Sequence, residues 1–246
     1  MFKMGMRWLR NLKRFIYQRT TPLPDLSRNY MDLSIPAKQR DLIDPQLQEM
    51  YAGRPPRLFT VLVDTFGAIS DLSVRTKLLD AGCGSGYYNE ILSHLVPVRL
   101  NYFGMDFNQG MLQLARQKYP QLRLARMDLR NVGWLDQSFD VVLSGAVIVH
   151  IREWQEAVVE LSRVAKKWLV LHRTVVYLEK PSFIRVEHHY DVDVYRVFIE
   201  ERELISLLRG LGFRLNLKVD CNEGEVNPDV SEYTYLFSRE PATFHA

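Results

Sequence analysis

Leu78-Leu79-Asp80-Ala81-Gly82-Cys83-Gly84-Ser85-Gly86-Tyr87-Tyr88 runs from an apolar strand, through three glycines at alternate positions, into a helix. Glycine tolerates positive φ and lets a backbone approach a ligand closely. At the carboxyl end of a first strand, such glycines line the crevice where open α/β sheets bind ligands. The dinucleotide pattern Gly-x-Gly-x-x-Gly does not fit them. Started at Gly82, it needs glycine at a position held by Tyr87; started at Gly84, it needs glycine where Asn89 stands.

Asp80 sits on the strand end, just ahead of the loop. A carboxylate there opposes a bound pyrophosphate and favours a cationic ligand. S-adenosylmethionine carries an ammonium and a sulfonium and no phosphate, so the Asp-x-Gly-x-Gly-x-Gly spacing selects it over NAD. Asp106 adds a second acid, at the end of the next strand and 20 residues after Gly86. That is about the distance at which an acidic residue meets ribose hydroxyls. Asp106 could also cap the helix beginning near Gln109, although Asn108 is better placed for that.

Working outward, residues 76 onward alternate strands and helices. Strands are expected over 77–81, 100–106, 122–128, 139–145 and 168–172, and helices over 87–95, 109–118 and 153–165, with 131–138 a loop. Short apolar strands between amphipathic helices mean a parallel sheet covered on both faces. A helix over 201–211 is followed by apolar segments 212–219 and 232–238 with no helix between them, so one of the two runs antiparallel. Upstream, 26–70 reads as helix in pieces, broken near Pro36, Pro45 and Gly53-Arg54-Pro55-Pro56.

These landmarks resemble the class I S-adenosylmethionine-dependent methyltransferases over roughly residues 75–240, in particular the small-molecule group that includes ubiquinone- and menaquinone-type enzymes. The match rests on Asp80–Gly86, Asp106, Met127-Asp128-Leu129 and Phe139-Asp140-Val141-Val142-Leu143-Ser144-Gly145. The resemblance implies an α/β, Rossmann-like, doubly wound and mostly parallel seven-stranded sheet, with an antiparallel strand near the C-terminus and added N-terminal helices. It also implies S-adenosylmethionine as cofactor. Asp80 and the loop Gly82, Cys83, Gly84 and Gly86 would pass the methionine and ribose portions, with Asp106 on the ribose hydroxyls. Asp128 and Leu129 would meet the adenine, and the Ser144-Gly145 backbone would lie near the methionine; Phe107 and Met111 complete the expected contacts. Asp128 has a turn-capping alternative, and Cys83 reads as a small buried filler rather than a nucleophile.

Composition sets the outer limits. The chain has 246 residues, 47% apolar and 25% charged, which is ordinary for a soluble globular protein able to bury a substantial core. No run of 18 uncharged apolar residues occurs, and two cysteines suggest a reducing, cytosolic setting. The net charge of +3 is uneven: residues 1–20 hold six of the 32 basic residues and no acid, leaving 26 bases against 29 acids. The remainder is no basic nucleic-acid binder, and no base-flipping motif is present. Residues 1–20 read as a basic amphipathic helix, packing on the domain or resting on anionic lipid. The organisation is therefore 1–20, a helical cap region 21–70, and a cofactor-binding domain 71–246.

For the acceptor, His150 follows the fourth strand and His172 ends the fifth. Either could serve as a catalytic base or be a hydrogen-bonded structural histidine. The long segment 174–199 reads as a lid or binding loop, with a half-exposed strand over 191–198. Tyr30, Tyr51, Arg54 and Phe59 are candidates for the opposite wall. His188-His189 lack a metal-ligand spacing, so no metal is expected. The expected activity is methyl transfer to a small-molecule acceptor, most readily at oxygen. The alternatives are a membrane-associated lipid or quinone methyltransferase and a non-catalytic S-adenosylmethionine-binding protein. Sequence leaves the oligomeric state open.

Overall fold

Strand β1 (Lys77–Ala81) lies at the centre of the sheet, paired in parallel with β2 (Asn101–Asp106) on one side and β4 (Phe139–Gly145) on the other. β3 (Arg123–Arg126) extends the β2 side, and β5 (Ala165–Tyr177) extends the β4 side, all in parallel. β9 (Val230–Arg239) then runs antiparallel to β5, with β8 (Phe213–Asp220) antiparallel to β9. The computed structural model describes residues 26, 28–178, 180–222 and 230–241; the basic stretch 1–20 lies outside the described residues. Strand order reverses at β1/β4, so the crevice above those two carboxyl ends is the expected ligand position in an open α/β sheet.

Both faces of the sheet are covered, which is why its strands read as near-continuous apolar runs. Alternation along each strand divides the side chains. Leu78, Val141, Leu143 and Val170 face α1 (Ile35–Tyr51), α2 (Arg57–Gly67) and α3 (Tyr87–Leu95), through Ile43, Leu47, Phe59, Leu62, Phe66 and Ile91. Leu79, Val142, Leu169 and Leu171 face α5 (Trp154–Val164) and α6 (Glu201–Gly210), through Trp154, Val158, Leu161, Leu204 and Leu208. Helix α4 (Gln109–Lys118) starts at Asn108, whose Oδ1 accepts from the Met111 N–H at 3.1 Å. That bond satisfies one of the orphan donors at a helix start. Among the described residues, no helix is long and apolar enough to cross a membrane.

Two local expectations change. Helix α1 continues through Pro45 rather than breaking there. The backbone bond lost to proline is offset by burial of Ile43, Leu47 and Met50 from the same helix in the core. Segment 174–199 is sheet rather than loop: β5 runs on to Tyr177, and β6 (Phe183–His189) and β7 (Val192–Glu200) form a hairpin. β7 joins β5 in parallel at Val176↔Ile199 and Tyr177↔Glu200, above the point where β4 stops at Gly145↔His172. Among the described residues the sheet therefore has nine strands, the seven expected and the added hairpin, which stands over the end of β4.

Helices α1 and α2 supply one wall of the main core, so the region cannot be peeled away without exposing it. Phe66→Ala should cost about 3–5 kcal/mol, the usual range for emptying a buried aromatic site. A single cooperative urea transition, shifted for the whole molecule, is the expected result. A shift confined to a minor phase would mean that residues 35–67 unfold separately from the sheet.

Candidate cofactor and acceptor site

The loop after β1 is held to β2 by its backbone. The N–H groups of Gly82 and Cys83 donate to Met105 O at 2.7 and 2.8 Å. Asp106 completes the junction: one carboxylate oxygen accepts from Gly84 N–H at 2.9 Å and the other from Asn108 N–H at 2.8 Å. Gly82, Gly84 and Gly86 have φ of +84°, +52° and +79°, the region that favours glycine. Space demands glycine as well, since a Cβ on Gly82 would lie 2.4 Å from Val147 Cγ2 and one on Gly84 2.7 Å from Gln39 Nε2. Gln39, on α1, also accepts from the Ser85 N–H and O–H at 3.1 and 2.7 Å, so α1 closes over the loop.

Three buried polar atoms around the ends of β1, β4 and β5 have no hydrogen-bond partner among the described residues: Asp80 Oδ1, Ser144 Oγ and His172 Nε2. Such atoms are rare in folded proteins and call for a partner from outside. The other Asp80 oxygen accepts from Tyr102 O–H, and burial pushes the Asp80 pKa up to about 7. A cation bound beside it would draw the proton off. Burial raises the Asp106 carboxyl as well, against its backbone bonds. Each of its oxygens keeps a second lone pair for a ligand hydroxyl. The cradle, the two acids and the orphaned atoms fit a ligand with a cationic end and a ribose diol. S-adenosylmethionine is such a ligand.

The other expected contacts vary. Cys83 is buried against Gly104, and burial pushes its thiol pKa up, which suits a filler. Met111 is buried, and Phe107 sits with its ring edge toward Tyr30 at 6.2 Å. Asp128 accepts from Arg130 N–H at 2.9 Å and pairs with the Arg130 guanidinium at 2.6 Å, closing a turn, while Leu129 is buried in the core. Gly145 packs under Tyr88, whose ring would lie 2.3 Å from a Cβ at that position.

His150 ends a short 3-10 turn, Ile148–His150, and its Nδ1 lies 2.9 Å from Tyr195 O. A carbonyl only accepts, so Nδ1 carries the proton and Nε2 is left with a lone pair. Tyr30 O–H donates to the same carbonyl at 3.0 Å, and its ring lies 5.8 Å from that of His150. Burial holds the His150 pKa down to about 4. His172 is buried deeper, with Nδ1 2.7 Å from Thr234 Oγ1, and burial takes its pKa to about 3. Two clusters result: Tyr30, Phe107 and His150 in one, and Tyr87, Tyr88, His172 and Arg173 in the other.

Of the candidate wall residues, Tyr30 reaches the site and three do not. Tyr51 bonds Glu90 on an outer surface at 2.8 Å, Arg54 pairs with Glu49 at 2.8 Å, and Phe59 is buried in the core. Gln39, Val147 and Arg173 join without being anticipated, and none carries a local motif that announces the role. His188 and His189 pair with Asp193 and Glu187 on the hairpin, at 3.0 and 2.9 Å. Among the described residues no cluster of His, Cys, Asp and Glu could hold a metal ion.

Residues 79–169 match the family described as a methyltransferase domain. A demethylmenaquinone methyltransferase of Staphylococcus aureus is 31% identical over 103 residues, 40% of this chain and 43% of that protein. The match thus spans less than half the length of that curated relative. Magnesium protoporphyrin IX methyltransferase of Synechocystis, solved with S-adenosylmethionine bound, superposes with a TM-score of 0.62 at 17% identity, covering 90% of this chain and 100% of the other. An S-adenosylmethionine-dependent methyltransferase of Clostridium acetobutylicum gives 0.59 at 16% identity, covering 83% and 99%. The chain has the class I S-adenosylmethionine-dependent methyltransferase fold, and its central part matches that family.

The histidine environments set a pH dependence. A histidine with an unfolded pKa near 6.5 and a lower folded value makes its full contribution to stability above about 6.5. As pH falls below that, the unfolded chain takes up protons the folded chain refuses, and stability drops until the folded pKa values, about 4 for His150 and about 3 for His172, are passed. Nitrogen-15 spectra at pH 5.5 should show both rings neutral, with the His150 proton on Nδ1. An imidazolium signal from His150 at that pH would contradict the assignment.

Proposed function

We propose that this protein is a class I S-adenosylmethionine-dependent methyltransferase and that it transfers a methyl group to an oxygen of a small-molecule acceptor. The observation that carries the reading is the glycine loop tied to Asp106 beneath a set of orphaned buried polar atoms. S-adenosylmethionine, when bound, supplies an electrophilic methyl group on a sulfonium. The chain's own task is then to hold the reactants in line and keep water out.

In this reading Asp106 holds the ribose hydroxyls and the Gly82–Gly86 backbone lies under the cofactor. Asp80 favours its cationic end. Asp128 and Leu129 border the adenine, and Phe107 and Met111 pack beside them. The Ser144-Gly145 backbone, at the end of β4, borders the methionine part. Gln39 and Val147 roof the loop, and Tyr30 screens the cleft from solvent. His150 is the catalytic base: its lone pair on Nε2 accepts the acceptor's hydroxyl proton, and its low pKa keeps that lone pair available at neutral pH. His172, locked on Thr234 in the interior, supports the β5 end.

A second reading gives the acceptor a quinone-like ring. The name of the Staphylococcus aureus relative favours it, and the Tyr30 and Phe107 rings would suit a planar acceptor.

Two measurements test the main reading. In calorimetry, Asp106→Ala should weaken S-adenosylhomocysteine binding by about 1.5–3 kcal/mol, the value of charge-assisted hydrogen bonds. In a panel of alcohols, phenols, enols and quinols, S-adenosylhomocysteine formation should fall about 10²–10⁴-fold in His150→Ala while cofactor affinity stays nearly intact. Full turnover in His150→Ala would make that histidine structural. Tight cofactor binding with no turnover anywhere in the panel would favour a non-catalytic binding protein.

A further inference from the structure

Away from the crevice, α1, α3 and the end of α4 border a cavity of about 620 Å³. Its wall includes Arg40 of α1, Arg99 after α3 and Lys118 at the end of α4, three cations from separate stretches of chain. None of its lining residues belongs to the Asp80–Gly86 loop, and Asp106 is not among them. Gln39 bonds Ser85 in that loop, whereas Arg40, one position on, lines the cavity. Successive residues of a helix point about 100° apart, so α1 serves both places.

Arg40 is buried, with 7% of its surface exposed. Its Nη1 donates to Tyr119 Oη at 3.3 Å, and its Nη2 pairs with Asp44 one turn along α1. Its Nε is buried with no hydrogen-bond partner among the described residues. A buried donor on a charged group is costly to leave unmatched, and it calls for a partner from outside. Lys118 holds Asp44 only loosely, at 3.6 Å, and Arg99 is exposed with no ion-pair partner among the described residues.

Two acids face these cations. Asp44 is shared between Arg40 and Lys118. Glu90 accepts from Tyr51 O–H at 2.8 Å through one oxygen and from Tyr119 O–H through the other. Three cations against two acids leave the wall positive, and the acids leave Arg40 Nε and Arg99 unmatched. A dianion with three acceptor oxygens suits that arrangement better than a carboxylate. Beside it the ring of Tyr51, 54% exposed, meets that of His94 edge-on at 4.7 Å, which offers a surface for a flat group.

We propose that this cavity is a second ligand site, and that it takes a phosphate monoester carried on a planar ring. The phosphate bonds Arg40 Nε, Arg99 and Lys118, and the ring lies against Tyr51 and His94. The volume is ordinary for a small-molecule pocket. The site is separate from the methyl-transfer crevice and does not depend on that chemistry.

Calorimetry on the full chain, with and without saturating S-adenosylhomocysteine, tests it with phenyl phosphate as probe. Phenol and inorganic phosphate report the ring and the anion separately. Phenyl phosphate should bind about ten-fold or more tighter than either, equally well in both conditions, and should shift the Tyr51 and His94 ring resonances. Arg99→Gln/Lys118→Gln changes two exposed positions and leaves the Arg40–Asp44 pair in place. It should keep the parent's melting curve and lose about ten-fold or more in phenyl phosphate affinity. Glu90→Gln removes a facing negative charge and should tighten binding about two- to five-fold, a gain that loosened packing would not give. Phenyl phosphate binding no tighter than its two parts, its displacement by S-adenosylhomocysteine, or an affinity unmoved in either variant would overturn the proposal.

Discussion

Asp106 bonds two backbone N–H groups at once, that of Gly84 in the loop after β1 and that of Asn108 at the start of α4. These charge-assisted bonds fix the end of β2 against the end of β1, at the point where strand order reverses. The rest of the site is built on that junction. Asn108 caps α4 through its Oδ1, and its side-chain N–H₂ donates to Tyr30 O at 2.5 Å. Tyr30 in turn reaches the carbonyl that orients His150. One carboxylate thereby connects the glycine loop after β1 to the His150 side of the cleft.

The segment over the cleft is held by long-range contacts rather than by a core of its own. Lys38 of α1 donates to Tyr190 O at 2.9 Å and pairs with Asp191 at 2.8 Å, clamping the hairpin tip. Tyr190 and Asp191 have φ of +54° and +60°, the conformation of a two-residue hairpin turn usually reserved for Asn-Gly. Asn29 donates to Asp193 O at 2.8 Å on the same hairpin. The hairpin and the N-terminal segment therefore brace each other across the site.

Much of the central domain was legible because its signals are local. β1, β4, α3 and α4 occupy the residues that periodicity and the glycine pattern marked, and each glycine of the loop answers to a positive φ or to a side chain pressed against it. Asn108 was readable as a cap for the same reason. The hairpin was harder: its alternation showed over 191–198, but its tip lacks the glycine that announces such a turn. The extension of β5 to Tyr177 depends on a partner strand far along the chain. Gln39, Val147 and Arg173 were hidden for a similar reason. Gln39 meets Ser85 across 46 positions, and nothing in an amphipathic helix distinguishes it from a solvated glutamine. The His150 tautomer is set by a carbonyl 45 residues away.

In the proposed arrangement the β1/β4 crevice is the cofactor site, with the Asp106 junction as its floor. Amide hydrogen exchange of the full chain, with and without S-adenosylhomocysteine, tests that most directly. Slowed exchange should appear in peptides covering 80–90 and 103–112, and should spread to the segment around Tyr30 and the tip at Tyr190 as the cleft closes. Protection elsewhere on the surface, with those peptides unchanged, would contradict it.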